Sequence, residues 1–137
     1  MVENVSDFLL ENVGSPIEKR KVHLKRFKSD FVIQSLTAEE TDDLRKQATR
    51  KVMNHQTHAY EQETNQDKFT GLIMSHSVVV PDLENAELQT SYGCQGDPEK
   101  LLKKMLTIGE YSKLSKAIMD LSGLNDDEAA AAKEAKN

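Results

Sequence analysis

Two histidines and two glutamates in the middle of the chain are the residue types of a metal site. His55 and His58 are three residues apart, and Glu61 and Glu63 follow in the same polar segment. Imidazole and carboxylate groups are ordinary ligands of divalent metals. However, no cysteine lies nearby, no second motif supports the site, and the segment has no firm periodicity that would hold the four side chains together. A solvated polar loop is the simpler interpretation, and we expect neither a metal nor a cofactor.

The other reactive side chains have no catalytic partners in the sequence. Cys94 is the only cysteine, and no basic residue next to it would activate the thiol, so we interpret it as a passive loop thiol. His76 is expected on the apolar face of its helix, where a core histidine with a satisfied hydrogen bond is a simpler interpretation than a catalytic base. The sequence contains no nucleophile elbow and no phosphate-binding or dinucleotide-binding loop. We therefore expect a protein that is not an enzyme.

The strongest local charge feature is the basic run KRKVHLKRFK, residues 19–28. One interpretation is a β-ribbon that contacts phosphates, with Phe27 available to stack on a base. A second is an edge strand whose lysines deter unwanted pairing, and a third is a docking strip for an acidic partner. The whole chain carries a net charge of −5, so nucleic-acid binding is the weakest of the three, although a regulatory protein that uses this run stays an alternative.

Composition indicates a small intracellular domain. The chain has 137 residues, of which 37% are hydrophobic and none is tryptophan, so one domain with a mostly aliphatic core is expected. A single cysteine excludes an internal disulfide and is typical of a reducing cytoplasm. The first residues lack the basic and apolar regions of a secretory signal, and no stretch is long enough for a membrane span. We expect a cytoplasmic protein without membrane contact.

The C-terminal half has clear helix signals. Asp97 is a potential N-cap followed by proline at the first helical position, and Thr107 and Glu110 form a capping box that begins a second helix. Gly123 is a natural end of that helix. The second helix has an apolar stripe at spacings of three and four, formed by Ile108, Tyr111, Leu114, Ile118 and Leu121. This stripe is core by default, but part of it could be an interface, and the pattern alone does not separate the two.

The N-terminal half combines strands and helices. Ser6 is expected to cap a short helix over 7–12, whose Phe8 and Leu9 must dock on the body or on a partner. Alternating residues predict a β-hairpin with strands at 21–27 and 31–36, turning near 28–30.

Further elements follow along the chain. A capping box at Thr37 predicts a helix over 38–55, after which 56–66 is expected to be a loop or frayed helix. A helix is predicted over 67–80, with its valines tending to extended structure before Pro81, and a helical turn near 83–88. The fold class is α+β: mostly helical, with an N-terminal β-hairpin packed on a small helical domain over 1–124. Residues 125–137 are expected to be a frayed or disordered polar tail.

Several segments, taken in order, resemble the tail assembly chaperones of long-tailed phages, prophages and phage-like particles of Gram-positive bacteria. They are SDFLLEN (6–12), LTAEE (36–40), VVVPDLENAELQTSYG (78–93) and DPEKLLKKMLTIGEYSKLSKAIMDLSGL (97–124). The resemblance covers nearly the whole chain, and its specificity is in the order of the segments, because each motif alone is structural.

The resemblance implies a non-enzymatic helper in the host cytoplasm. Such chaperones coat the long, helical tape-measure protein and keep it soluble and extended until tail-tube subunits displace them, so they are absent from the finished virion. In many relatives a ribosomal frameshift adds a C-terminal extension that is thought to recruit tube subunits, and here it would attach to the polar tail. The alternative is a structural tail or head–tail adaptor protein, which purified particles would contain.

The resemblance does not assign the residues that hold the partner. From the apolar pattern alone we predict that Phe8, Leu9, Tyr111, Leu114 and Ile118 bind it. A homo-oligomer is also possible, and the sequence leaves open whether the hairpin pairs between chains.

Overall fold

The structure, a computed structural model, describes residues 4–123, in which helices are combined with two small antiparallel sheets. After a 3₁₀ turn at Val5–Phe8, the helices are α1 Leu10–Val13, α2 Ala38–Gln47, α3 Gln66–Ser77, α4 Ala86–Ser91, α5 Pro98–Met105 and α6 Ile108–Leu121. The strands are β1 Lys19–Val22, β2 Phe31–Gln34, β3 Thr49–Met53, β4 Tyr60–Thr64 and β5 Val78–Val80. The predicted α+β class is confirmed. The predicted polar tail at 125–137 lies outside the described residues.

The predicted N-terminal hairpin is confirmed and forms part of a larger sheet. Strands β1 and β2 pair antiparallel with Val22 opposite Phe31, and β5 joins β2 to give the order β1-β2-β5. The predicted alternation is also confirmed, since Val22, Leu24, Phe31 and Ile33 are all buried. Each strand is shorter than predicted, because residues 23–30 form a long connection in which the ring of Phe27 packs edge-on against Phe31 at 5.0 Å.

The helix-start signals predicted at Thr37, Asp97 and Thr107 are all used. Thr37 Oγ1 accepts the backbone N–H of Glu40 at 3.1 Å, and Glu40 Oε1 accepts the N–H of Thr37 at 3.1 Å. Thr107 and Glu110 repeat this reciprocal arrangement at the start of α6. Asp97 caps α5 by accepting the N–H of Lys100 at 3.0 Å. These side chains satisfy backbone donors that the first helical turn leaves unpaired.

The single helix predicted over 38–55 is wrong after Gln47, where α2 ends. Helix α2 ends at Gln47, and the following residues turn into β3, which pairs with β4 in the segment predicted to be a loop or frayed helix. The β-branched Thr49 favours this change, since its hydroxyl lies 2.7 Å from that of Thr64 across the strand pair. The N–H of Asn65 also donates to the carbonyl of Ala48 at 2.8 Å, which closes the hairpin at its base.

Three smaller predictions need correction. His76, expected on the apolar face of its helix, is exposed, and Ser77 takes the buried position in the last turn of α3. The N-terminal helix predicted over 7–12 with a Ser6 cap is divided into the 3₁₀ turn, capped by Asn4, and α1. Helix α4 lies later than the predicted turn near 83–88, because Asn85 is its N-cap.

The core lies between the three-stranded sheet and helices α3, α5 and α6. Its largest fully buried apolar side chains come from all of these elements: Phe31, Ile33, Met74, Leu101, Leu102, Leu114 and Ile118. The β3–β4 hairpin contributes none of these, and its strand residues are exposed or half-buried. The sheet and helices therefore form the packed body, from which two segments extend into water: residues 5–17 and the β3–β4 hairpin.

Candidate partner-binding surface

The residues predicted to bind a partner occupy two different environments. Leu114 and Ile118 are 0% and 1% exposed and pack in the core, the alternative that the sequence left open for their helix. Tyr111 is half-buried at the edge of that core, and burial raises the pKa of its hydroxyl. Phe8 and Leu9 are exposed, by 78% and 43%. In this conformation only Phe8, Leu9 and part of Tyr111 have surface that a partner can reach.

Exposed apolar side chains concentrate in residues 5–17, which we call the N-terminal arm. Six of the ten large hydrophobic residues that are exposed in the described part of the chain belong to it: Val5, Phe8, Leu9, Leu10, Val13 and Ile17. No residue of the arm is buried. Isolated exposed apolar side chains are ordinary, but this concentration of them in one short segment makes the arm the candidate partner-binding surface.

The root of the arm is fixed to the sheet by one buried serine. Ser35 is 5% exposed, and its hydroxyl accepts the N–H of Glu18 at 2.8 Å and donates to the carbonyl of Pro16 at 3.0 Å. Its own N–H donates to the carbonyl of Glu18 at 2.8 Å. Gly14, at φ +82°, ends α1 and turns the chain toward this anchor. The arm therefore starts from a defined point directly after β2.

The sequence pattern missed most of the arm's apolar residues. Leu10, Val13 and Ile17 are exposed like Phe8, and they stand at helical spacings of three and four. They form no continuous helical face, because the arm consists of two very short helical pieces and α1 ends before Gly14. Ile108, the first residue of α6, was assigned to the core stripe and is 89% exposed. The sequence does indicate an interaction segment, because many apolar residues precede Gly14 in a segment that is too short to form a core of its own.

A second apolar feature is an open groove of about 320 Å³ on the sheet side of the body. Its wall includes Phe27, Phe31, Val80, Pro81, Leu88 and Tyr92. The peptide bond between Val80 and Pro81 is cis, and Val80 is 43% exposed at the end of β5. The groove thus adds accessible apolar surface to that of the arm.

Part of the basic run has a structural function. Arg26 donates from Nε to both carboxylate oxygens of Glu110, at 3.2 and 3.0 Å, and from Nη2 to the carbonyl of Met105 at 2.7 Å. Hydrogen bonds from Arg26, and then the backbone N–H of Thr107, lower the pKa of Glu110 to about 2. This pair holds the connection between β1 and β2 against the start of α6. Arg26 is therefore already occupied, whereas the β1 cations project into water.

The other candidate chemical groups are dispersed. His55 and His58 are exposed in the turn between β3 and β4. Across residues 4–123, no group of three or more histidine, cysteine or carboxylate side chains is arranged to hold a metal ion. Cys94 is 3% exposed, with its Sγ 3.5 Å from the carbonyl oxygen of Tyr92.

None of the helices between residues 4 and 123 has the length and apolar character to cross a membrane.

Comparison with known proteins identifies the family. The model of the phage XkdN-like tail assembly chaperone proteins matches residues 5–136. The chain is 28% identical over 128 residues to the phage-like element PBSX protein XkdN of Bacillus subtilis strain 168. This alignment covers 93% of this chain and 85% of that protein. The uncharacterized protein YqbN of the same organism is also 28% identical over 128 residues, with the same coverage.

The fold has a solved counterpart. The crystal structure of YqbN superimposes with a TM-score of 0.71 at 22% identity, and the match covers 90% of this chain and 98% of that one. This structural similarity shows the α+β fold. Membership in the family is shown by the family model, which matches most of the chain. The chain belongs to the family of phage XkdN-like tail assembly chaperones.

Proposed function

We propose that this chain is a non-enzymatic tail assembly chaperone that binds the tape-measure protein in the host cytoplasm, keeps it soluble and helps the tail tube polymerise. Membership in the tail assembly chaperone family supports the general role. The observation that carries the specific partner is the N-terminal arm, whose six large apolar side chains are exposed to water. A client that is a long helix with apolar faces is the kind of partner that such a surface fits.

The arm is suited to reversible binding. Phe8 and Leu10 are 78% and 73% exposed, so a partner can bury most of both side chains without unpacking the core. Tyr111 contributes a half-buried ring on α6, beside Ile108 and Leu106 in a shallow depression. Leu114 and Ile118 act in this proposal as the packing that holds α6 in place rather than as contacts.

The test is co-expression of the chain with the tape-measure protein, followed by affinity purification and measurement of the soluble fraction of that protein. The wild-type chain is expected to keep the tape-measure protein soluble and to co-purify with it in many copies. Phe8→Ser combined with Leu10→Ser is expected to reduce both, since it removes the two most exposed side chains of the arm. Met53→Ser is the control, because Met53 is an apolar side chain that is 40% exposed but lies on β3, outside the arm and outside the depression beside Tyr111.

Circular dichroism of the purified variants separates lost binding from lost folding. The arm has no buried residue, so both variants are expected to unfold at the wild-type temperature. If the tape-measure protein precipitates even with the wild-type chain, the proposed function is wrong. If the arm variant behaves like wild type, the client contact lies elsewhere. Recovery of the chain in purified particles would favour a structural tail or adaptor protein instead.

A further inference from the structure

Both sheets end in strands that have an open side. In the three-stranded sheet, β1 is an edge strand, and in the two-stranded sheet both β3 and β4 are edges. Edge strands offer unpaired backbone groups to another strand, and proteins usually block them with charge. Here the charges on two of these edges have opposite signs: β1 reads Lys-Arg-Lys-Val, and β4 reads Tyr-Glu-Gln-Glu-Thr.

The hydrogen-bond pattern shows which backbone groups are open. In an antiparallel pair, successive residues direct their backbone N–H and C=O groups alternately toward and away from the partner strand. The bond from the N–H of Ser35 to the carbonyl of Glu18 shows that Glu18 faces β2, so Lys19 and Lys21 direct their backbone groups away from β2. In the other sheet, Asn65 bonds to Ala48 and Asn54 bonds to Ala59. The same alternation then directs the backbone groups of Tyr60, Gln62 and Thr64 away from β3. Each edge therefore has a regular row of free donors and acceptors.

The charged side chains beside these rows are also available. The side chains of Lys19, Arg20 and Lys21 are exposed and form no ion pair with any residue between 4 and 123. Glu63 likewise has no such ion pair, and Glu61 only accepts a hydrogen bond from the amide of Asn54 at 3.1 Å. Arg50 of β3 lies opposite Glu63 in the hairpin but forms no ion pair with it. The acidic and basic edges are thus complementary, and neither is closed by an ion pair among residues 4–123.

We propose that β4 of one copy of this chain pairs with β1 of a second copy, so that the acidic edge of each subunit joins the basic edge of the next. Pairing β1 with β1, or β4 with β4, would set like charges opposite each other, which is unfavourable. The complementary edges belong to different sheets, so the contact is heterologous and repeats head to tail. Strand addition of this kind takes affinity from the backbone bonds and selectivity from the flanking charges.

The experiment measures self-association of the full chain by sedimentation velocity over a range of protein and salt concentrations. Wild type is expected to form oligomers that grow with concentration and dissociate as salt is raised. Two edge variants, Lys19→Glu/Arg20→Glu/Lys21→Glu and Glu61→Lys/Glu63→Lys, are each expected to associate roughly tenfold more weakly or worse, because opposing pairs become like-charged. Mixing the two variants in equal amounts is expected to restore association, since each then offers the edge that the other lacks.

A matched control changes the net charge without changing an edge. Lys100, Lys103 and Lys116 are exposed on α5 and α6, and converting all three to glutamate gives the same charge as the basic-edge variant. This control is expected to associate like wild type. A wild-type chain that stays monomeric at every concentration, edge variants that associate normally, or a control that is equally weakened would each overturn the proposal. The measurement needs no tape-measure protein, so its outcome is independent of the proposed function.

Discussion

Two buried serines have opposite hydrogen-bonding states and should respond oppositely to the same substitution. Ser77 closes α3, is 0% exposed, and its hydroxyl has no hydrogen-bond partner among residues 4–123. Ser35 is 5% exposed, and its hydroxyl joins the N–H of Glu18 to the carbonyl of Pro16. Replacement of either serine by alanine deletes one oxygen atom, so a comparison of the two isolates the effect of hydrogen bonding from that of size.

The expected magnitudes follow from these two states. An unsatisfied buried hydroxyl costs about 1–3 kcal/mol, and deleting it loses only a few dispersion contacts of about 0.1–0.2 kcal/mol each. Ser77→Ala should therefore raise the free energy of unfolding by about 1 kcal/mol, or about 3–5 °C in melting temperature for a domain of this size. Ser35→Ala should lower that free energy by about 1 kcal/mol, because Glu18 and Pro16 are exposed and water can replace part of the lost bonding.

Urea unfolding followed by circular dichroism measures both changes, and the slope with urea checks that the unfolded surface is unchanged. Amide hydrogen exchange adds a local readout, since the N–H of Glu18 should exchange faster in Ser35→Ala. A Ser77→Ala protein that is no more stable than wild type would refute the reasoning, because its hydroxyl would then have a partner. A neutral Ser35→Ala would show that the arm is not anchored through this hydroxyl.

Two further predictions concern α6. Leu114→Ala should destabilise the protein by about 3–5 kcal/mol in the same urea assay, because Leu114 is 0% exposed and the truncation leaves a cavity; a loss below about 1 kcal/mol would contradict its place in the core. The pKa of Glu110 is lowered from 4.5 to about 2, so its contribution to stability is complete above pH 4.5 and is lost as the pH falls toward 2. The free energy of unfolding of Glu110→Gln should therefore change less with pH across that range than the free energy of unfolding of wild type. An equal change in both proteins would contradict the pairing of Glu110 with Arg26.

The elements that could be predicted from sequence are those whose signals are local. The capping boxes at Thr37 and Thr107 and the Asp97 cap identify three helix starts, because one side chain and one backbone N–H three residues later suffice to define them. The alternation of apolar and polar residues through Val22 and Phe31 was equally predictive, because one face of that sheet is buried and the other is exposed to solvent.

The β3–β4 hairpin was missed because no hydrophobic pattern marks it. Its strands have no buried residue, so the alternation that identifies a half-buried strand is absent. Its strand character comes from pairing across the turn, such as the contact between Thr49 and Thr64, and that pairing is not visible in either strand alone. Residues 49–53 directly follow a strongly predicted helix, and they include Arg50 and Lys51, which are typical of the last turns of a helix. Continuation of α2 is therefore the simplest interpretation of the sequence alone.

Some of the predicted contact residues are buried and others are exposed, and the sequence pattern could not separate the two groups. The stripe of Leu114 and Ile118 is apolar at helical spacing whether it faces a core or a partner, and only the position of the sheet decides between them. Phe8 and Leu9 could be selected because a short helix before Gly14 has too few residues to bury them itself. The structure adds that the other four large apolar side chains of the arm are exposed as well.

The two proposals together account for how weak contacts can hold a long client. Burial of a large apolar side chain contributes about 1.5–3 kcal/mol, and the arm residues Val5, Phe8 and Leu10 have 68–78% of their surface left to bury, so one copy gains about 5 kcal/mol before the cost of association. That cost is about 4–15 kcal/mol, so a single arm binds weakly and exchanges quickly. Under the two proposals, copies joined edge to edge along one client bind with a high effective concentration, while each weakly bound arm can still be released singly.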